Sequence, residues 1–438
     1  MTIYKSKFLQ TLNIRGFIDN CTDFNGLDDL LSKNEENKTP TPLYIGFDCT
    51  AASLHVGSMI QIMALRIAQQ CGHKPIILMG GGTTKIGDPS GKDESRKMLT
   101  DDDINSNMDS IKNIFINFIN ISEEFDPSSN DAIMVNNDDW LSGLNYIKFL
   151  RDFGVLFSVN KMLSRESVKI RLEKESHLSF LEFNYMILQA YDFYELNKNY
   201  GCKLQIGGSD QWGNILGGIE LNRKINSSND SNEDSNKDLN KETFGLTTPL
   251  ITTASGGKMG KTAQGAVWLK EEMLSAYDYW QFWRNTEDAD IGRFLRFFTD
   301  LPEEEISKLE NAEGSGINDS KVVLANATTA LCHGQAAADQ AHKTAKEVFE
   351  KGGVGDSLPE YVINIEILND GIQAYKIFAE SGMEKSGGSA RRLIQGGGAK
   401  INDQKISDPE AIITAENLDN NQIKLSAGKK RHLLVKID

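Results

Sequence analysis

Two short stretches, far apart in the chain, carry residue types suited to handling a triphosphate. The first is Tyr44-Ile-Gly-Phe-Asp-Cys-Thr-Ala-Ala-Ser-Leu-His-Val-Gly-Ser58, where an apolar run passes through small residues to one histidine and one glycine. A helical pattern follows it, and a helix start favours an anion because its first N–H groups lack partners and its dipole end is positive. Gly57 lets a nucleotide approach the backbone closely. The second stretch is Gly256-Gly-Lys-Met-Gly-Lys-Thr262, with Lys258 and Lys261 on a glycine-rich loop. Neither this loop nor Gly91-Lys92 is a Walker A loop, which needs a glycine five residues before the glycine of its Gly-Lys pair and Ser or Thr after it. That earlier position holds Ser255 in one case and Ile86 in the other, and Asp93 follows Lys92.

The elements that must position these residues are legible in the apolar spacing. Leu43 to Phe47 reads as a buried parallel strand, and Met59, Ile62, Met63, Leu65 and Ile67 recur at helical spacing between Ser58 and Gln70. Strand-like runs alternate with helical patterns as far as about Asn222, including Lys74–Met79 and Lys203–Ile206, each ending in a glycine-rich turn, Gly80–Gly82 and Gly207–Gly208. This alternation predicts an α/β fold, a Rossmann-like doubly wound parallel sheet, with ligands at the carboxyl ends of the strands where strand order reverses. Asn226 to Asn240 is polar and of low complexity, and is expected to be a disordered insertion. Tyr277 to Glu350 reads as mainly helical, its aromatic cluster from Tyr277 to Phe298 serving helix packing. Lys351–Gly355 reads as a linker, and Ser389–Asn402 as a short helix with two arginines, a glycine turn and a strand. The expected domains are therefore 1–245 (catalytic, with 226–240 inserted), 246–350 (lysine loop and helical domain) and 351–438 (linker and a small α+β domain).

Composition narrows the class. The chain is 39% hydrophobic and 25% charged, and no apolar run approaches the roughly 20 residues of a membrane span. The N-terminus Met1-Thr-Ile-Tyr-Lys-Ser-Lys has neither an apolar core nor an Arg-rich amphipathic pattern, so a cytoplasmic protein with no membrane partner is expected. Five scattered cysteines with no Cys-x-x-Cys pair suggest neither disulfides nor a zinc site. The net charge of −15 conceals a basic end, since Lys385 to Asp438 holds ten Lys/Arg against six Asp/Glu. That surplus suits a phosphate backbone.

His55-Val-Gly-Ser58 together with Lys258-Met-Gly-Lys-Thr262 resembles the paired HIGH and KMSKS signatures of class I aminoacyl-tRNA synthetases. Ile86-Gly-Asp-Pro-Ser-Gly-Lys92, Phe183–Asp192, Leu204–Asn214 and Tyr279-Trp-Gln-Phe-Trp283 follow in order, and with them nearly the whole chain resembles the bacterial-type tyrosyl-tRNA synthetase family. The resemblance implies attack of a tyrosine carboxylate on the α-phosphate of ATP, with Mg2+ carried by the nucleotide and no protein-bound metal. It gives Thr50, His55, Lys258, Lys261 and Thr262 to the departing phosphates, with Lys92 and Arg96 reaching in from a second loop. It gives Gly46, Asp48, Gly57, Ser58, Gly208 and Asp210, with His55 and Lys261, to ATP, Gly57 making room for adenine. Tyr44 and Asp192 match the pair that bonds the tyrosine hydroxyl, and Asp88, Tyr185 and Gln189, with Gln211 nearby, the ammonium set. Tyr185, Gln189 and Asp192 are spaced to share one helical face. The tail segment resembles a small RNA-binding fold shared with a ribosomal small-subunit protein, so Arg391, Arg392 and Lys400 are expected on tRNA, and the family implies a homodimer. Ser58 departs from the histidine or similarly sized polar residue that usually ends the first signature. A tryptophan-specific relative is disfavoured by Tyr44 with Asp192, and a non-catalytic RNA-binding paralogue by the retained His55, Lys258, Lys261 and Thr262.

Overall fold

A computed structural model of the chain describes residues 3–88, 99–229, 242–257, 259–262, 265–351, 358–419, 421–428 and 431–438. They form two compact units, Met1–Met259 with Gly292–Glu303, and Gly260–Ile291 with Glu304–Asp438. The division falls inside the second glycine-lysine stretch.

The first unit is built on a six-stranded sheet of β1 (Asn20–Cys21), β2 (Pro42–Phe47), β3 (Lys74–Met79), β4 (Ile133–Asn136), β5 (Leu204–Gly208) and β6 (Phe244–Thr248). Its spatial order is β1-β6-β5-β2-β3-β4. Strands β2 to β6 pair in parallel and β1 lies antiparallel at the edge. Every residue of β3 is buried, as a parallel strand covered on both faces requires. Chain order reverses between β2 and β5, so the crevice falls beyond Phe47 and Gly208. The first signature-bearing turn leaves the sheet there, after β2, and the second stretch follows β6.

Three details differ from the sequence reading. Gly81–Thr84 is a helical turn, its Gly82 N–H donating to Asn137 Oδ1 at 2.8 Å. A Cβ on Gly80 would stand 2.6 Å from Asp48 Oδ1, so that glycine serves close packing. Gly207 and Gly208 remain in β5, paired with Thr247 and Thr248. The helix Trp212–Asn229 also enters the stretch expected to be disordered, Ser227 Oγ bonding Arg223 O within it at 2.8 Å; the rest of that stretch, like the linker from Gly352 onward, lies outside the described residues.

In the second unit the helices Ala276–Arg284, Gly316–His333 and Gln335–Lys351 bury Tyr277, Tyr279, Trp280 and Trp283, and Trp280 Nε1 donates to Asn326 Oδ1 at 2.7 Å. The aromatic cluster is packing, as expected. Residues 360–437 form a five-stranded sheet with the helices Ala374–Glu380 and Gly387–Gln395, around a core that includes Phe378, Ile394, Leu425 and Val435. The expected glycine turn stands between Gln395 and the strand Ala399–Ile401. No helix among the described residues is long and apolar enough to cross a membrane.

Candidate active site

His55 caps the short turn Val56–Ser58 that leads into the helix Met59–Gln70, its Nδ1 accepting the Gly57 N–H at 3.0 Å. A ring nitrogen that accepts carries no proton, so the neutral imidazole holds its proton on Nε2 as a donor. A Cβ on Gly57 would stand 2.7 Å from His55 Cε1 and 3.2 Å from the Met259 carbonyl oxygen. The glycine is thus demanded by the protein's own packing, before any room for adenine is considered. The two signature stretches meet at this point.

The loop after β2 is tied from outside. Cys49 N–H donates to Thr84 Oγ1 at 2.8 Å, Asn107 Nδ2 to Cys49 O at 3.0 Å and Ser110 Oγ to Ala52 O at 2.7 Å. Thr50 stays exposed on that loop, and Gly46 is the exposed residue of β2. Ser58 N-caps the long helix without a side-chain bond. Gly208 ends β5, where a Cβ would fall 2.6 Å from Asp210 Oδ1, and Asp210 is exposed.

Tyr185, Gln189 and Asp192 share the helix Phe180–Tyr200, started by a capping box between Ser179 and Glu182. From them run two hydrogen-bond chains. In the first, Tyr185 OH donates to Asp48 Oδ1 at 3.4 Å, Thr83 Oγ1 donates to the same oxygen at 3.2 Å, and Asn137 Nδ2 reaches Thr83 Oγ1 at 3.0 Å and Asp192 Oδ2 at 2.9 Å. Trp140 Nε1 completes it on Asp192 Oδ1 at 2.8 Å. In the second, Asn214 Nδ2 donates to Gln189 Oε1 at 3.0 Å and to Gln211 Oε1 at 3.1 Å, and Gln211 Nε2 donates to Asp88 Oδ2 at 2.9 Å. Asp48, grouped above with ATP, stands here beside Tyr185.

Asp192 is 2% exposed and its carboxyl is pushed up to about 7 by burial; the bonds from Asn137 and Trp140 oppose this, and the charge of Asp48 adds to it. Tyr44, 1% exposed on β2, has its phenol raised well above the ordinary value by burial and then by Asp192. Its hydroxyl finds no protein partner among the described residues. An acceptor held by two donors thus lies near a buried hydroxyl still short of a bond, and the pocket is lined by carboxyl groups. That combination suits a ligand with a phenol at one end and a cation at the other.

Asn137, Trp140, Thr83 and Asn214 were missed as site residues. Only Asn214 had a signal, lying at the end of the quoted block Leu204–Asn214; the others act across the fold. Lys92, Arg96 and Lys258 lie outside the described residues. Lys261 and Thr262 form a two-residue strand paired with Gly265–Ala266. In the tail, Arg391 lies over the Tyr375 ring at 3.4 Å and bonds Glu410 Oε1 at 3.1 Å, while Arg392 and Lys400 are exposed. No group of three or more His, Cys, Asp or Glu that could hold a metal occurs among the described residues.

The model of the class I tRNA synthetases (W and Y) matches residues 35–350, and the chain belongs to that class. Within it the chain falls in the tyrosine–tRNA ligase family. It is 54% identical to the tyrosine–tRNA ligase of Rhodospirillum rubrum over 437 residues, covering 100% of this chain and 99% of that protein. It is 54% identical to that of Caulobacter vibrioides over 433 residues, covering 99% and 98%. Among solved structures, a C-terminally truncated mitochondrial tyrosyl-tRNA synthetase of Aspergillus nidulans is 32% identical with a TM-score of 0.68, the match covering 78% of this chain and 94% of that one.

Proposed function

We propose that this chain activates tyrosine with ATP and transfers it to the 3′ end of a tRNA for tyrosine. The observation that carries the amino-acid choice is the buried Asp192 carboxyl, clamped by Asn137 and Trp140 near the unfilled Tyr44 hydroxyl. A phenol donates a hydrogen bond to Asp192 and bonds Tyr44; a phenyl ring leaves the buried Tyr44 hydroxyl unpaired, at about 1–3 kcal/mol, and Asp192 with only its two protein donors. The ammonium goes to Asp88, Tyr185 and Gln189, with Asp48 adding negative charge.

In the first step a tyrosine carboxylate oxygen forms a bond to the α-phosphorus, the bond to the β-phosphate oxygen breaks, and pyrophosphate leaves. No covalent enzyme intermediate is needed, so the protein contributes positioning and charge. His55 Nε2–H and Thr50 face the phosphates, and Lys92, Arg96, Lys258, Lys261 and Thr262 follow the charge that grows on pyrophosphate. Gly46, Gly57, Ser58, Gly208 and Asp210 border the nucleoside at the switch point of the sheet, and Mg2+ enters as part of the substrate. The tRNA backbone lies along Arg392 and Lys400, with Arg391 held beside them.

The partner chain is a second copy: Tyr146, Ile147, Val155, Val159 and Phe180 are 57–74% exposed within one segment of the first unit, an apolar surface that a monomer would leave in water. The reaction is assigned to the cytoplasm, in keeping with five free cysteines. The deciding experiment is exchange of labelled pyrophosphate into ATP with each of the twenty amino acids. Exchange is expected with tyrosine and far less with phenylalanine or tryptophan; equal exchange with phenylalanine would overturn the assignment.

A further inference from the structure

Among the described residues, the Asn214 side chain hydrogen-bonds both glutamines of the site. It is the third residue of the helix Trp212–Asn229 and 7% exposed, so its amide is removed from water and must be satisfied by protein. Its NH2 group has two hydrogens, and each has an acceptor at hydrogen-bond distance, Gln189 Oε1 on one side and Gln211 Oε1 on the other. A glutamine amide has two near-isosteric orientations that exchange its acceptor for its donors. A donor group at this place selects the orientation with oxygen toward Asn214 in both glutamines.

For Gln211 the consequence is that Nε2 points away, where it donates to Asp88 Oδ2 at 2.9 Å. For Gln189 the consequence concerns the ligand. An ammonium has only hydrogens to offer, so a glutamine that receives it must present oxygen, and a carbonyl oxygen keeps a second lone pair after accepting from Asn214. The flipped amide would meet the ammonium with N–H against N–H.

We infer that Asn214 is the positioning residue of the amino-acid pocket: through the two hydrogens of its amide it sets the orientation of Gln189 and Gln211, and so makes the pocket an acceptor for the α-ammonium. This rests on the reading of the site as a tyrosine pocket. Asn214 need touch neither tyrosine nor ATP.

The test uses Asn214→Asp, of nearly the same size, which replaces both donors with acceptors and drives both glutamines to the opposite orientation. Tyrosine binding, measured by calorimetry on the full chain, is expected to weaken about ten- to hundredfold, the range for a lost hydrogen bond to a charged group. Binding of 3-(4-hydroxyphenyl)propionate, which is tyrosine without its amino group, should not weaken, and KM for ATP in pyrophosphate exchange should stay within about threefold. Asn214→Ser, which removes the double donor without adding charge, should shift tyrosine in the same direction by less. In a Gln189→Ala background, Asn214→Asp should have little further effect on tyrosine. Unchanged tyrosine affinity, or equal weakening of tyrosine and of the amine-free analogue, would overturn the proposal. Wild-type protein without tyrosine-dependent exchange would instead overturn the reading on which it rests.

Discussion

Replacing Tyr44 by phenylalanine should stabilise the ligand-free protein while damaging its choice of substrate. The Tyr44 hydroxyl is buried, and no protein group bonds it among the described residues. Removing an unsatisfied buried hydroxyl recovers about 1–3 kcal/mol of desolvation, and the ring packing against Phe193, with centroids 5.3 Å apart, is retained. At roughly 2–4 °C per kcal/mol for a unit of this size, the melting temperature without ligand should rise by about 2–12 °C. With tyrosine bound, the same hydroxyl has a partner, and its loss should weaken binding by about 0.5–1.5 kcal/mol, or roughly 2- to 13-fold. Melting both proteins across a tyrosine titration tests the two halves together, because ligand adds RT ln(1 + [L]/Kd) to each. The curves should start apart, with Tyr44→Phe higher, and converge as tyrosine rises. Discrimination against phenylalanine, read by pyrophosphate exchange, should fall in the same variant. A variant that melts lower without ligand, or that binds tyrosine as tightly as wild type, would refute the assignment of this hydroxyl to the phenol.

Other expectations follow from features away from the pocket. Burial raises the Glu35 carboxyl, but bonds from His73, Lys7 N–H, Ser6 and Phe8 N–H outweigh it and hold it at about 2 against an ordinary 4.5. Its stabilisation is therefore complete above pH 4.5 and lost as pH falls toward 2; at neutral pH it is worth up to about 3 kcal/mol, and Glu35→Gln should flatten the acid limb of a stability profile followed by fluorescence. Phe180→Asp should raise the dimer dissociation constant at least about thirtyfold by sedimentation, since an acid at the first turn of the helix Phe180–Tyr200 suits its dipole and leaves the helix intact; an unchanged dimer would remove this face from the interface. Deleting residues 358–438 should abolish charging of tRNA while leaving tyrosine-dependent exchange within about threefold, and a truncated enzyme that charges tRNA at the full rate would return Arg392 and Lys400 to solvated surface.

The parts of the fold that could be read from sequence were those whose signal is local. β3 matches its apolar run residue for residue, and β2 and the helix Met59–Gln70 differ from their runs by one residue at the start. The shared face of Tyr185, Gln189 and Asp192 was likewise legible, because helical spacing within one element determines it. Asn137 and Trp140 were not: they follow the end of β4, and only the sheet brings them to Asp192, 55 and 52 residues further along. The Glu35–His73 contact is of the same kind. Glycines misled where their reason was packing, as at Gly80 against Asp48 and Thr83, because the absence of a side chain looks the same in sequence whether it serves a turn, a ligand or a neighbour.

If Asp192 receives the ring of the substrate, as proposed, its clamp sets a rule for anyone who would retune that pocket to an unnatural ring. Asn137 Nδ2 and Trp140 Nε1 both point their hydrogens at that carboxyl. Exchanging Asp192 alone for an apolar residue would leave the buried Asn137 donor and the half-buried Trp140 donor facing hydrocarbon. A library that varies position 192 against a fixed background would therefore be dominated by poorly folded members, whatever their preference for the new ligand. Diversity has to be introduced at 137, 140 and 192 as one unit, so that the donors disappear together with the acceptor they serve.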